Sequence, residues 1–212
     1  MRHLKGFVFL SLLFIFLISC TEKSEKLPIL GQHDFDTKYQ DGVLETDTIY
    51  YTLPDFKFTD QNGNNFNENN IQGKVYIADF FFTSCPTICP KMSKNMLKMA
   101  QEYRANENVL FLSHSIDTRY DSVPVLKTYS EKLNAPNNWF FVTGEKEDIF
   151  GIAEKYMVSA GEDSHAPSGV VHSGAFILLD GKRRIRAYYD GTKASEMKKL
   201  EKDIEKLLNE KE

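Results

Sequence analysis

Hydrophobic positions along this chain fall into two kinds of pattern. Val75-Tyr76-Ile77-Ala78-Asp79-Phe80-Phe81-Phe82 is almost unbroken, and such a run reads as a buried strand. Lys91 to Arg104 instead spaces Met92, Met96, Met99 and Tyr103 three or four positions apart, which predicts one face of a helix. The two patterns then alternate. Val109-Leu110-Phe111-Leu112 opens a strand, and Val123 to Leu133 reads as a helix with Pro124 in its first turn, where proline is tolerated. Trp139 to Val142 is a short strand ended by Gly144, and Glu147 to Tyr156 a helix. A loop of Gly, Ser, Asp and Pro runs from Ser159 to Gly169. Gly174 to Leu179 and Ile185 to Tyr189 are strands joined by an Asp180-Gly181 turn. Ser195 to Asn209 closes as an amphipathic helix with Met197, Leu200, Ile204, Leu207 and Leu208 on one side. Upstream, Phe56 to Thr59 alternates, and Asn62-Gly63 is a strong hairpin signal.

The order is therefore hairpin, β, α, β, α, β, α, β, β, α. It predicts an α/β fold with a mixed central sheet flanked by helices and a β-hairpin at its N-terminal side. From residue 48 to residue 212 the length suits one domain. Functional loops in such sheets gather beyond the carboxyl ends of the parallel strands.

Residues 1–19 read differently. Arg2 and Lys5 precede an apolar stretch, Phe7 to Ile18, that is short for a bilayer span and fits a secretory signal. It ends in Leu17-Ile18-Ser19-Cys20, which resembles a bacterial lipobox, so the expected product begins at a lipidated Cys20. The alternative is an uncleaved anchor helix. Either way the chain is exported and held at a bacterial membrane, facing the periplasm. Residues 20–47 are polar and read as a tether, with Leu27-Pro28-Ile29-Leu30 able to dock locally. Loss of the signal removes two of 26 basic residues against 30 acidic ones and leaves a net charge of about −6. No basic patch suggests nucleic acid.

With Cys20 lipidated, Cys85 and Cys89 remain. Two cysteines four residues apart close a loop too short to stabilise a fold much, which argues for chemistry. They follow the Val75–Phe82 strand and precede the Lys91 helix, and a helix N-terminus favours thiolate. If Cys85 to Cys89 coil as a turn, both sulfurs share a face. Two thiolates suit Cu(I) or Zn(II) and need a third ligand, for which His172, after the long loop, is the best candidate.

Thr83-Ser84-Cys85-Pro86-Thr87-Ile88-Cys89-Pro90 resembles the T-x-C-P-x-x-C-P signature of the SCO/SenC family of thioredoxin-like copper proteins. Ser115-Ile116-Asp117 is similar to the family's S-V-D-P, with Thr118 in place of the proline, and Asp121 to the acid shortly after it. The resemblance covers most of the segment after the tether. It implies a thioredoxin-like fold and one copper, Cu(I) or Cu(II), bound by Cys85, Cys89 and His172. It implies a role in metallating the CuA-bearing subunit of cytochrome c oxidase, with another copper carrier or a thiol reductase as further partner. Val171 precedes His172 where many members carry Asp, which leaves the orienting carboxylate of the imidazole without its usual source; Asp163, in the loop, is the candidate substitute.

A competing function is a thiol–disulfide reductase that acts on the cysteines of a copper-acceptor protein and needs only the redox pair Cys85 and Cys89. The usual dithiol spacing is C-x-x-C, whereas three residues intervene here. The P-x-x-x-T/S-x-x-C pattern of a peroxidase is not found. Other residues have plainer readings: the methionines as a core stripe, His165 as a solvated loop residue, His33 as part of the tether, His114 as a packed strand residue, and Asp117 as a cap.

Overall fold

Strands and helices alternate from Val75 onward, as the hydrophobic pattern predicts. In a computed structural model describing residues 26–163 and 169–210, the elements are β1 (Asp34–Gln40), β2 (Val43–Ile49), β3 (Lys57–Asp60), β4 (Asn65–Asn67), α1 (Glu68–Ile71), β5 (Val75–Phe81), α2 (Cys89–Glu102), β6 (Val109–Ser115), α3 (Val123–Leu133), β7 (Trp139–Thr143), α4 (Lys146–Lys155), β8 (Ala160–Glu162), β9 (Val170–His172), β10 (Ala175–Leu179), β11 (Ile185–Asp190) and α5 (Ala194–Asn209). Cys20, the signal segment and His165 lie outside the described residues. Among the described residues no helix is long and apolar enough to cross a membrane.

Seven strands form one sheet in the order β11-β10-β5-β6-β7-β3-β4. The central strands β5, β6 and β7 are parallel, while β10 and β3 flank them antiparallel, so the sheet is mixed as expected. Every residue of β5 and β6 is buried, which demands cover on both faces. On one face Phe81 stacks on Tyr129 of α3 at 5.4 Å, Tyr129 shares a hydroxyl hydrogen bond with Ser93 of α2, and Tyr189 donates to Asp203 of α5. On the other, Phe80 stacks on His114 at 4.8 Å and Tyr156, at the end of α4, closes over both edge-on. Met92, Met96 and Met99 are all buried, so the methionine stripe is core, and so is His114.

Within the N-terminal stretch, Leu27–Leu30 docks on the sheet. Leu30 pairs with Ile185 of β11, and the Arg186 guanidinium donates to the carbonyls of Leu27 and Pro28. Arg186 is 2 % exposed and also meets Asp180 and Glu210, so its buried charge is paired on every side. Beyond this dock, β1 and β2 form a separate antiparallel hairpin around Asp41 and Gly42. Both turn residues have positive φ, 51° and 80°, which is what an Asp-Gly two-residue turn provides.

Two features of the sheet bear on what sits at its upper end. The Asp79 carboxyl, buried in β5, accepts from the Ser113 hydroxyl, which in turn accepts from the Trp139 indole. Burial pushes this carboxyl up to about 7, against the pull of the Ser113 bond. Burial also holds His114 down to about 4, against its bond to the Asp79 carbonyl. The second feature is Asp121, fully buried after β6. It accepts the Thr83 amide at 3.0 Å, the Thr83 hydroxyl and the Ser115 hydroxyl, and so ties the chain leaving β5 to the end of β6.

These groups predict a pH profile. Asp79 binds its proton more tightly folded than unfolded, so its contribution is complete below about pH 4 and is lost as pH rises through 7. His114 does the opposite, losing stability as pH falls from about 6.5 to 4. The two slopes oppose each other in the native chain. Asp79→Asn leaves the histidine slope alone: urea midpoints should climb between pH 4 and 6.5 and exceed the parent's at pH 8, whereas a profile parallel to the parent's would show that Asp79 titrates normally. Separately, Asp121→Ala should cost about 3 kcal/mol by stranding the Thr83 amide and hydroxyl. It should also speed alkylation of Cys85, two residues further on; an unchanged rate would mean that Asp121 secures the sheet but not the loop.

Candidate metal centre

Cys85 and Cys89 lie where β5 feeds α2. The Cys85 amide donates to the Phe82 carbonyl at 3.2 Å, closing the turn that leaves the strand. Residues 85–88 bend without forming a helical turn, and α2 begins at Cys89 with Pro90 in its first turn. Proline is tolerated there because the first helical amides have no partner within the helix. Those free amides and the helix dipole favour negative charge at Cys89.

His172 arrives from the opposite side of the site. The expected Ser159–Gly169 loop contains a short strand, β8, that pairs with β9 and sets Ala160 opposite His172. The Ser173 amide then donates to the Ser159 carbonyl at 2.8 Å, fastening the ribbon immediately after the histidine. His172 Nε2 lies 3.2 Å from Cys89 Sγ, and one ligand atom from each of Cys85, Cys89 and His172 lies within 4.8 Å of the others. Among the described residues this is the one such group of histidine, cysteine and acidic side chains.

The imidazole is oriented by the main chain. Its Nδ1 is 2.9 Å from the Ser173 carbonyl, which can only accept, so Nδ1 carries the proton and Nε2 presents a lone pair to the sulfur. This carbonyl fills the role that a carboxylate at position 171 would have played, and Val171 itself is exposed. Burial lowers the pKa of His172 further than the Ser173 bond raises it, so the ring is neutral and ready to ligate. The Phe82 ring stands edge-on to it at 5.9 Å.

Both thiols are free, and they are not equivalent. Burial works against the Cys85 thiolate, but hydrogen bonds from the Cys89 thiol, the Cys89 and Thr87 amides and the Thr87 hydroxyl outweigh it and lower the pKa. Burial pushes Cys89 well above the ordinary thiol range, with a backbone bond at Phe82 opposing and the negative charge of Cys85 and Asp79 adding to the rise. Burial thus overrides the helix dipole at Cys89. The result is one sulfur inclined to thiolate and a second, 3.2 Å from His172 Nε2, that keeps its proton.

The other sequence candidates do not join this group. His33 clasps the Ile29 carbonyl and the Tyr51 amide, and His114 packs in the core. Asp117 receives the Tyr120 amide and caps the turn after β6, while Asp121 acts through Thr83. Three contributors escaped the sequence reading. The β8–β9 ribbon, with three residues in each strand, is too short to show periodicity. The Ser173 carbonyl, like any backbone group, carries no sequence signal. Thr87 was visible between the cysteines, and a hydroxyl two residues from Cys85 was a signal that could have been used.

Known proteins resemble this chain in sequence and in fold. The SCO1/SenC family model matches residues 46–209. The SCO1 protein homolog of Bacillus subtilis is 31 % identical over 150 residues, covering 68 % of this chain and 77 % of that protein. BsSco, a member of the Sco family of cytochrome c oxidase assembly proteins in which a disulfide switch was identified, superposes with a TM-score of 0.67 at 27 % identity, covering 76 % of this chain and 95 % of the other. Yeast Sco1 with copper bound superposes at 0.59 and 25 % identity, covering 73 % and 88 %. With its thioredoxin-like fold and its Cys-Cys-His group, this chain belongs to the SCO1/SenC family.

Proposed function

We propose that this chain is a membrane-tethered copper carrier that binds one copper through Cys85, Cys89 and His172 and helps to metallate the CuA site of cytochrome c oxidase. The observation that carries the reading is the convergence of two sulfurs and an unprotonated Nε2 within 4.8 Å. Two soft thiolates and one imidazole suit Cu(I), and the same set accommodates Cu(II). Loading displaces the thiol protons, so binding releases protons and strengthens with pH. Release proceeds by stepwise replacement of these ligands with those of the acceptor, the oxidase subunit that carries CuA. The names of the relatives support copper and oxidase assembly as the context. Export, the lipid on Cys20 and a periplasmic position follow from the lipobox-like segment.

The inequality of the thiols favours a second reading, a thiol–disulfide reductase. The Cys85 thiolate would attack a partner disulfide, and Cys89, giving up its proton, would displace the partner from the mixed disulfide. The partner leaves as a dithiol and Cys85–Cys89 as a disulfide. Copper and a disulfide compete for the same sulfurs.

Anaerobic Cu(I) titration of the reduced chain against a competing chelator separates the readings. One tight equivalent is expected, weakened about a hundredfold or more in His172→Ala, since even partners outside the ligand set are worth 10–100-fold. Disulfide formation should stay nearly intact in that variant, and Cys89→Ser should abolish both activities. A site indifferent to His172→Ala would leave the reductase as the function.

A further inference from the structure

The β1–β2 hairpin stands apart from the sheet, and every residue of it except Asp36 is exposed. Its register sorts the side chains. Phe35, Thr37 and Tyr39 share one face with their cross-strand partners Thr48, Thr46 and Leu44. Asp34, Asp36, Lys38, Glu45 and Asp47 all fall on the other, with Gln40 and the exposed Val43 and Ile49 towards its two ends. Every strand charge is on one side, and the opposite side presents Phe35, Tyr39 and Leu44 at 67 %, 76 % and 64 % exposure among threonine hydroxyls. A lone two-stranded ribbon is marginal in water, so an uncharged face this open calls for a partner.

The chain's geometry says which. The base of the ribbon is clamped by His33, which bonds the Ile29 carbonyl and the Tyr51 amide and meets the Tyr50 ring at 5.2 Å. That base joins the dock at Leu27–Leu30, beside the β10–β11 turn and the start of β5. Cys20 lies seven residues before Leu27, whose carbonyl Arg186 holds. Seven residues span at most about 25 Å, and the ribbon itself is about 23 Å long. A lipid at Cys20 would therefore keep the ribbon within its own length of the bilayer.

We propose that the uncharged face of β1–β2 lies in the headgroup region of the lipid bilayer, with its acidic face turned to water. The proposal rests on the reading of Cys20 as the lipid-bearing residue. Tyrosine and phenylalanine suit that interface, and acidic side chains are repelled by anionic lipids. A patch of three large side chains binds weakly alone, but a lipid chain on the same molecule supplies the second signal and a high local concentration. The ribbon then sets the orientation of the domain. The clamped end faces lipid, and the cysteines, at the far end of β5 about 20 Å away, face outward.

The test uses the full processed chain in phosphatidylethanolamine–phosphatidylglycerol vesicles with dibromo acyl chains. Trp139 is 1 % exposed and gives a constant background, so Tyr39→Trp reports the ribbon's position. Expected are flotation with the vesicles, a blue shift and loss of emission on bromination for Tyr39→Trp, and neither spectral change for Lys38→Trp on the charged face. Flotation with Tyr39→Trp unquenched would overturn the ribbon contact and leave the anchor standing. A blue shift without bromine quenching, accompanied by cross-linking between copies, would make the face a protein interface and overturn the proposal. Failure to float would remove the anchor and the proposal with it.

Discussion

The Asp121 carboxylate holds the point on which the site depends. Strand β5 is buried to its last residue, so the chain must leave the sheet at Phe82 and turn within three residues to present Cys85. A half-buried turn leaves backbone groups that need partners. Asp121 takes the Thr83 amide and hydroxyl together and anchors them to Ser115 on the neighbouring strand. The parallel register of β5 and β6, which sets Phe81 beside Ser115, brings these groups within reach. Sheet geometry is thereby converted into the position of a sulfur atom.

A second layer of constraint comes from charges placed where water does not reach. Asp79 and His114 occupy adjacent positions of the buried sheet on opposite faces, and each is driven towards its neutral form. Arg186 keeps its charge by gathering two acids and two carbonyls, and in doing so sews the N-terminal segment and the last residue of the C-terminal helix region to β11. The sheet thus carries a neutralised interior near the metal-binding end and a paired ionic clasp at the other.

Much of this was legible in the residues. The runs at Val75–Phe82 and Val109–Leu112 are apolar because they are covered on both faces, and the methionine spacing after Pro90 follows a helix face that is wholly core. Cys85, Cys89 and His172 stood out by residue type, and the signature around the cysteines named the family. The hairpin at Asp34–Ile49 did not stand out, because it buries nothing and so carries no core pattern; only Asp41-Gly42 marked it. The β8–β9 ribbon was hidden by its glycine and by strands of three residues. Distances and tautomers at the site belong to the backbone and could not be read from side-chain identities.

The Ser173 carbonyl has a consequence for redox poise. A carboxylate hydrogen-bonded to a ligating imidazole adds negative charge behind the metal and favours its more oxidised state. A carbonyl fixes the ring as firmly while adding only a dipole. With two thiolates already supplying the negative charge, a neutral support behind His172 would favour the cuprous form of a copper held there more than a carboxylate would. A main-chain acceptor at one histidine thus leaves the charge of the site to the two sulfurs.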